Sequence, residues 1–395
     1  PPRSTLFPYT TLFRSGICCK PGENRFVEYR YLGGDQKFSL ALTYEEHTQV
    51  QGRYKLPEIG FYFSNDPYMG LNDYVLDIQK RELVPSGSKK EKSAWWYQSI
   101  FCGWGSQCYL AKVDNAHAPD YATQENYERF TRELLDRNIN VGTMVIDDKW
   151  QKAYGLNSVD EKKWPNLADF IRNRHENHQK VLLWLKFWDS EGLPISECIT
   201  NKAGKSLAVD PSNPEFEKRF REQIQYMLSA DGLDADGFKV DFSARIPSGP
   251  GIKTFGDSWG LELMRQYFMI LYDESKKTKA DALIIAHAPN PYLIDFIDMI
   301  RLNDINPGKD LLPSMRHRQK VATIAMKDIL IDTDNWQMNN KLDWLDYLKI
   351  QPELGVPALY YSTHIDRTQE PLTEEDIHLL NEIWLKYQQK VRIHE

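Results

Sequence analysis

The sequence predicts an α/β fold, a (β/α)8 TIM barrel preceded by a partial N-terminal β-sandwich, and three observations carry that reading. From Trp95 onward eight short apolar runs recur: WWYQSIFCGW, VGTMVIDD, KVLLWLKFW, DGFKVDF, ALIIAHA, FIDMIRLND, KDILIDTDNW and GVPALYYSTH. Amphipathic helical stretches lie between several of them, and eight strand-helix units over about 290 residues suit a parallel barrel. The runs also end in acids, bases and tryptophans although their interiors are apolar. A doubly wound sheet is the alternative. It would usually open on a glycine-rich phosphate turn after its first strand, and GWGSQ matches one poorly.

Residues 1–15, PPRSTLFPYTTLFRS, show neither a helical nor a strand period, nor the basic-then-apolar order of a signal peptide. The segment TLFPYTTLFRS matches the translation of a widely used DNA sequencing adapter, so residues 1–15 are expected to be an assembly artefact without packed structure, standing where the true N-terminus is missing. Residues 16–84 read as the partial sandwich and a connecting helix: FVEYRYL, KFSLALTY and EIGFYF are strand-like, and a helix is expected from Pro67 to Leu83. PSGSKKEKS falls in a polar linker over 85–94, and the barrel fills 95–395.

Among the barrel helices, NPEFEKRFREQIQYMLSADG has Asn213 as cap, Pro214 in the first turn and Phe216, Phe220, Ile224 and Leu228 along one stripe. In ENYERFTRELLDRN, Tyr127, Phe130 and Leu134 share a face. With 41% hydrophobic residues in 395, a core of this size can be filled. The net charge of −7 and the lack of a long Lys/Arg run give no electrostatic footprint for nucleic acid. No apolar stretch approaches the roughly 20 residues of a membrane span. Five scattered cysteines lack paired metal spacing and read mostly as free thiols. Compartment and oligomeric state are not readable.

Active sites of barrels lie at the C-terminal ends of the strands, so the last residues of each run are the informative ones. They are Trp104; Asp147, Asp148 and Trp150; Lys186, Trp188 and Asp189; Lys239 and Asp241; His287; Arg301 and Asp304; Asp332, Asp334 and Trp336; Ser362 and His364. In DGFKVDF the alternation of a strand aims Lys239 and Asp241 at one place, away from Phe238, Val240 and Phe242. Tryptophan faces pack on the C–H faces of sugars while carboxylates and lysines grip hydroxyls, so this mixture suits a carbohydrate pocket. Glycosidic cleavage needs two carboxylates. Asp241 and Asp304, on strands four and six with one strand between, are the candidate pair.

IDDKW, LLWLKFW, DGFKVDF and RLND, in that order and each at the end of a barrel strand, resemble the retaining α-glycosidase clan of glycoside hydrolase families 27, 31 and 36, family 31 most closely. The resemblance spans about residues 60–390. It implies that Asp241 is the nucleophile and Asp304 the acid/base of a retaining α-glycosidase acting on terminal sugars, with α-galactosides first and α-glucosides next. RLND lacks the glycine often found before the family 31 acid/base, and Ser243 and Ala244 follow DGFKVDF where a further acid is usual. The family also carries a C-terminal sandwich, which this sequence stops short of. Neither metal nor organic cofactor is expected, since two carboxylates fill both catalytic roles.

Other roles stay open. Asp147, Asp148, Trp150, Lys186, Trp188, Lys239, Arg301, His287, Trp336 and Trp104 are candidate substrate contacts. Any of the tryptophans could instead be core. Lys186 and Lys239 could hold a neighbouring aspartate ionised, Arg301 could position Asp304, and His287 could be a satisfied polar residue. A Schiff-base lyase using Lys239 and a catalytically dead sugar-binding protein are the competing functions.

Overall fold

The computed structural model describes residues 12–34, 37–302, 304–305 and 310–393. Four N-terminal strands form two antiparallel ladders: β1 (Leu12–Cys18) with β4 (Glu58–Ser64), and β2 (Glu28–Gly34) with β3 (Lys37–Thr43). Helix α1 (Pro67–Lys80) follows, its first turn closed by Asp66, whose carboxylate accepts from the Tyr68 N–H at 2.8 Å. The N-terminal part is docked on the barrel. Glu262 accepts from the Gly22 N–H and from Asn24 Nδ2, and the His47 ring stacks on Trp259 at 3.5 Å between centroids.

Leu12–Ser15 were expected to pack against nothing, and the structure corrects this. They pair with Phe61–Ser64 in β1. The edge of β4 offers unpaired backbone groups that an extended segment of almost any sequence can fill, so side-chain periodicity did not announce the strand. Residues 1–11 of the adapter-like stretch lie outside the described residues.

All eight apolar runs contain barrel strands: β5 (Ile100–Cys102), β6 (Thr143–Ile146), β7 (Lys180–Lys186), β10 (Gly237–Asp241), β11 (Leu283–Ala286), β12 (Met299–Arg301), β13 (Leu330–Asp332) and β14 (Ala358–Leu359). Each pairs in parallel with its neighbour around the ring, in the order 13-12-11-10-7-6-5-14. A parallel bridge between Asp332 and Val356, with the Val356 N–H on the Ile331 carbonyl at 2.7 Å, closes the circle. A small hairpin, β8 (Cys198–Thr200) and β9 (Ser206–Val209), is inserted after β7.

Helices α2 (Trp104–Asp114), α3 (Gln124–Asp136), α4 (Leu167–Glu176), α5 (Pro214–Leu228), α6 (Gly260–Thr278), α7 (Leu311–Ala325), α8 (Lys341–Leu354) and α9 (Glu374–Ile393) accompany the strands. Asn213 caps α5, its side chain accepting from the Glu215 N–H at 2.9 Å, and Phe216, Phe220, Ile224 and Leu228 are all buried. Tyr127, Phe130 and Leu134 of α3 are buried in the same way. Each such side chain contributes roughly 1.5–3 kcal/mol of hydrophobic burial, which is what holds the helical layer on the sheet. The stretch read as a linker is pinned along the start of the strands: the Ser88 N–H donates to the Lys327 carbonyl, and Lys90 Nζ to the Ile297 carbonyl at 2.8 Å. No described helix is long and apolar enough to cross a membrane.

Candidate active site

Asp241 ends β10 opposite Lys186, and Lys239 lies opposite Trp184 of β7. The alternation of both strands therefore brings Trp184, Lys186, Lys239 and Asp241 to one face. That face is the barrel interior, because Lys239 reaches Cys102 of β5, Asp147 beyond β6 and the ring of Tyr360 beyond β14. Asp241 Oδ2 accepts from the Trp184 indole N–H at 3.3 Å, and Oδ1 from the Phe242 N–H at 2.8 Å. Arg301 Nη2 and His287 Nε2 each stand 3.2 Å from Oδ1. Burial alone would raise this carboxyl's pKa. The charge of Arg301, His287 at hydrogen-bond distance and the charge of Lys239 outweigh it, and Asp241 is held far below the usual carboxylate range.

Arg301, at the end of β12, is 1% exposed and serves three carboxylates. Nη2 faces Asp241, while Nη1 contacts both Asp304 Oδ1 at 2.8 Å and Asp334 Oδ2 at 2.6 Å. Asp304 is half exposed, and Asp334 is inaccessible. Desolvation, then the negative charges of Asp334 and Asp241, outweigh the pull of Arg301 and raise the Asp304 pKa. One guanidinium serves both members of the candidate pair, so their nearest oxygens lie within about 8 Å. That reach includes the spacing of retaining glycosidases (roughly 5 to 5.5 Å) and much of that of inverting ones (roughly 6.5 to 9.5 Å). Asn303, within RLND, lies outside the described residues.

On the other side of the interior, Lys239 Nζ donates to Asp147 Oδ2 at 2.6 Å, and Cys102 Sγ to the same oxygen at 3.0 Å. Burial disfavours the lysine's charge, but Asp147 at this distance wins and the ammonium is held well above its usual range. Next along the chain, Asp148 Oδ1 accepts from the Tyr154 hydroxyl at 2.6 Å. Burial, opposed by that hydrogen bond and reinforced by Asp147, pushes the Asp148 carboxyl up to about 6. Lys186 pairs with Asp189 at 2.9 Å and lies 4.0 Å over the Tyr154 ring.

The candidate tryptophans divide. Trp104 and Trp336 are partly exposed and meet edge to face at 5.8 Å, with the Trp336 indole N–H on Asp366. Trp150 and Trp188, open between sugar contact and core in the sequence, lie in the core. Their indole N–H groups are spent on the carbonyls of Trp184 and Ser243, and Trp188 packs edge-on against Tyr267 at 5.2 Å. Three residues at the site were not singled out from sequence as contacts. Trp184 sits inside its run rather than at the end, although strand alternation with Lys186 was a usable signal. Asp332 and Asp334 stood in KDILIDTDNW without an assigned role.

A cavity of about 200 Å³ lies behind Arg301, lined by His287, Ile300, Leu302 and Arg318. A larger one of about 750 Å³, beside Ile329, Leu354, Val356 and Tyr387, is at the opposite, N-terminal end of the strands, far from the carboxylates. No group of three or more metal-ligating side chains occurs among the described residues.

The eight-stranded parallel barrel thus carries an acidic, lysine-containing rim at the C-terminal ends of its strands. Residues 114–279 match the model of the glycosyl hydrolases family 31 TIM-barrel domain. No curated protein sequence matches it significantly. Among solved structures it is similar to the cycloalternan-degrading enzyme from Trueperella pyogenes, at 13% identity over 86% of this chain and 54% of that one, with a TM-score of 0.63. The same enzyme in complex with a covalent intermediate is similar at 14% identity, 85% and 51% coverage and a TM-score of 0.62. The cycloalternan-forming enzyme from Listeria monocytogenes, in complex with a pentasaccharide substrate, gives 12%, 85%, 34% and 0.58. At these identities the likeness is one of fold. The chain spans about half the length of the Trueperella enzyme.

Proposed function

We propose that this chain is the catalytic part of a retaining α-glycosidase acting on terminal α-linked sugars, with Asp241 as nucleophile and Asp304 as acid/base. The observation that carries the reading is the shared guanidinium: Arg301 bridges an interior carboxylate kept ionised and a rim carboxyl whose proton is held more tightly than usual. That is the division of labour two-step hydrolysis requires. An Asp241 oxygen attacks the anomeric carbon as the bond to the leaving oxygen breaks, and Asp304 gives that oxygen its proton. Water then attacks the glycosyl ester, Asp304 takes the water's proton, and Asp241 leaves as carboxylate.

Trp104 and Trp336 are the faces against which a sugar would stack, and Asp148 and Lys186 the groups that would hold its hydroxyls. The similar enzymes are named for cycloalternan, which makes α-glucosides the first substrates to try and α-galactosides the second. The buried Lys239 ammonium, paired with Asp147, speaks against the lyase reading, because an amine must lose its proton to attack a carbonyl.

The test is a screen of nitrophenyl α-glycosides, followed by trapping with a fluorinated glycoside and mapping of the labelled peptide. A label on Asp241 supports the reading. Turnover with a label elsewhere overturns the assignment, and sugar binding without turnover of any glycoside supports a dead carbohydrate-binding protein.

A further inference from the structure

We propose that Asp334 is a positioning residue of this site: its carboxylate fixes the Arg301 guanidinium so that one edge is presented to Asp241 and the remaining Nη1 hydrogen to Asp304. The inference rests on the glycosidase reading above and adds to it a residue that makes no contact with substrate.

Asp334 follows β13, on the opposite side of Arg301 from Asp241. Its side chain is fully inaccessible, and both carboxylate oxygens accept hydrogen bonds. Oδ1 accepts from the Asn335 N–H at 2.6 Å and the Trp336 N–H at 3.0 Å, and Oδ2 takes Arg301 Nη1 at 2.6 Å. The residue's own N–H is anchored on Asp332 Oδ1 at 2.9 Å. Its backbone is left-handed, with φ of 60°, a conformation uncommon outside glycine and tolerated best by Asn and Asp. Three hydrogen bonds within one short loop thus hold a carboxylate against a single nitrogen.

A guanidinium NH2 has two hydrogens. With one committed to Asp334, Nη1 has one left, and Asp304 Oδ1 takes it at 2.8 Å. Without Asp334 the arginine would be free to rotate both Nη1 hydrogens toward Asp304, or to swing toward Asp241. The consequence is electrostatic as well as geometric. The charged groups facing Asp304 are Arg301 from β12, Asp334 from the loop after β13 and Asp241 from β10, while Arg318 of α7 donates to the Asp304 carbonyl oxygen at 2.8 Å. His287 lies beyond Asp241, Asp332 beneath Asp334 and Lys239 deeper in the barrel. Of the two like charges, Asp334 is the stronger in raising the Asp304 pKa.

Two variants of the full chain test this. Asp334→Asn retains an oxygen for the two backbone donors but turns an NH2 toward Nη1. It is expected to lower kcat about 100-fold with KM within a few-fold, the size of effect that an ångström of misplacement produces. Removing the negative charge lowers the Asp304 pKa, so the alkaline limb of kcat/KM should move down by about one pH unit. A merely structural residue would lower Tm and scale the profile without moving the limb. Asp334→Glu keeps the charge and displaces it, and should lose kcat while leaving the limb where it was. An unmoved limb in Asp334→Asn, or wild-type kcat in Asp334→Glu, overturns the proposal. Asp304→Ala keeps the two readings apart. If its activity loss does not depend on the leaving group, the acid/base role of Asp304 fails; if it does depend while the Asp334 variants behave as wild type, only the positioning role fails.

Discussion

Lys239 and Asp147 form an ion pair 2.6 Å long in the interior of the barrel, joining the ends of two strands that are separated by β7, with both side chains almost wholly shielded from water. A pair this deep adds little over a well-packed apolar substitute, but removing one partner strands the other charge. Lys239→Met is therefore expected to cost about 3–5 kcal/mol in urea unfolding. The double variant Lys239→Met/Asp147→Asn should recover part of that loss. If Lys239→Met were as stable as wild type, the pair would not be the tie between β6 and β10 that the geometry describes.

Phe220 lies on the buried stripe of α5, stacked with Phe216 at 5.6 Å between centroids and edge-on to Tyr267 of α6 at 5.2 Å. Replacing it with alanine leaves a cavity between two helices that contact each other closely, and should cost about 3–5 kcal/mol. Tyr226, on the exposed face of the same helix, is the control. Its alanine variant should stay within about 0.5 kcal/mol of wild type.

The barrel was legible because parallel strands covered on both faces read as continuous apolar runs, and all eight runs carry a strand. Period-two alternation likewise put Lys239 and Asp241 on one face. Other features needed three dimensions. Whether a tryptophan near a strand end faces substrate or core depends on which carbonyl its N–H can reach, and for Trp150 that is the Trp184 carbonyl, 34 residues on. Asp334 could not be separated from Asp332 by pattern, since its role comes from Arg301 on a different strand. Strand β1 was invisible because its partner, and not its own periodicity, makes it a strand.

Asp332 supplies a pH dependence of stability. It is buried, and desolvation together with the nearby Asp334 charge pushes its carboxyl up to about 6, against 3.8 ordinarily. Between those values the folded chain holds a proton that the unfolded chain has released. The stability this contributes is therefore fully present below about pH 4 and is lost as pH rises through about 6. Asp332→Asn, which keeps an oxygen for the Asp334 N–H, lacks the titration. Relative to wild type it should gain about 1–3 kcal/mol between pH 4 and pH 8 in urea unfolding at the two values. A constant difference at both pH values would mean that Asp332 is ionised in the folded chain throughout.

The candidate pair itself makes the most discriminating prediction, because the two carboxyls are asked to do different things. Asp241, held ionised by Arg301 and Lys239 against its burial, should not titrate within the working range, so the acidic limb of the pH profile is not its own. If Asp304 is the acid/base, kcat/KM for poor leaving groups should fall as pH rises through its raised pKa. Asp241→Ala should abolish turnover of every glycoside. Asp304→Ala should lose most with poor leaving groups, largely spare ester formation from activated aryl glycosides, and lose the alkaline limb. Azide should rescue both variants with opposite stereochemistry. In Asp304→Ala it replaces water and gives the retained glycosyl azide; in Asp241→Ala it replaces the nucleophile and gives the inverted one. The same stereochemistry from both, or an alkaline limb that survives in Asp304→Ala, would show that the roles belong to other carboxyls of this rim, with Asp148 the next to test.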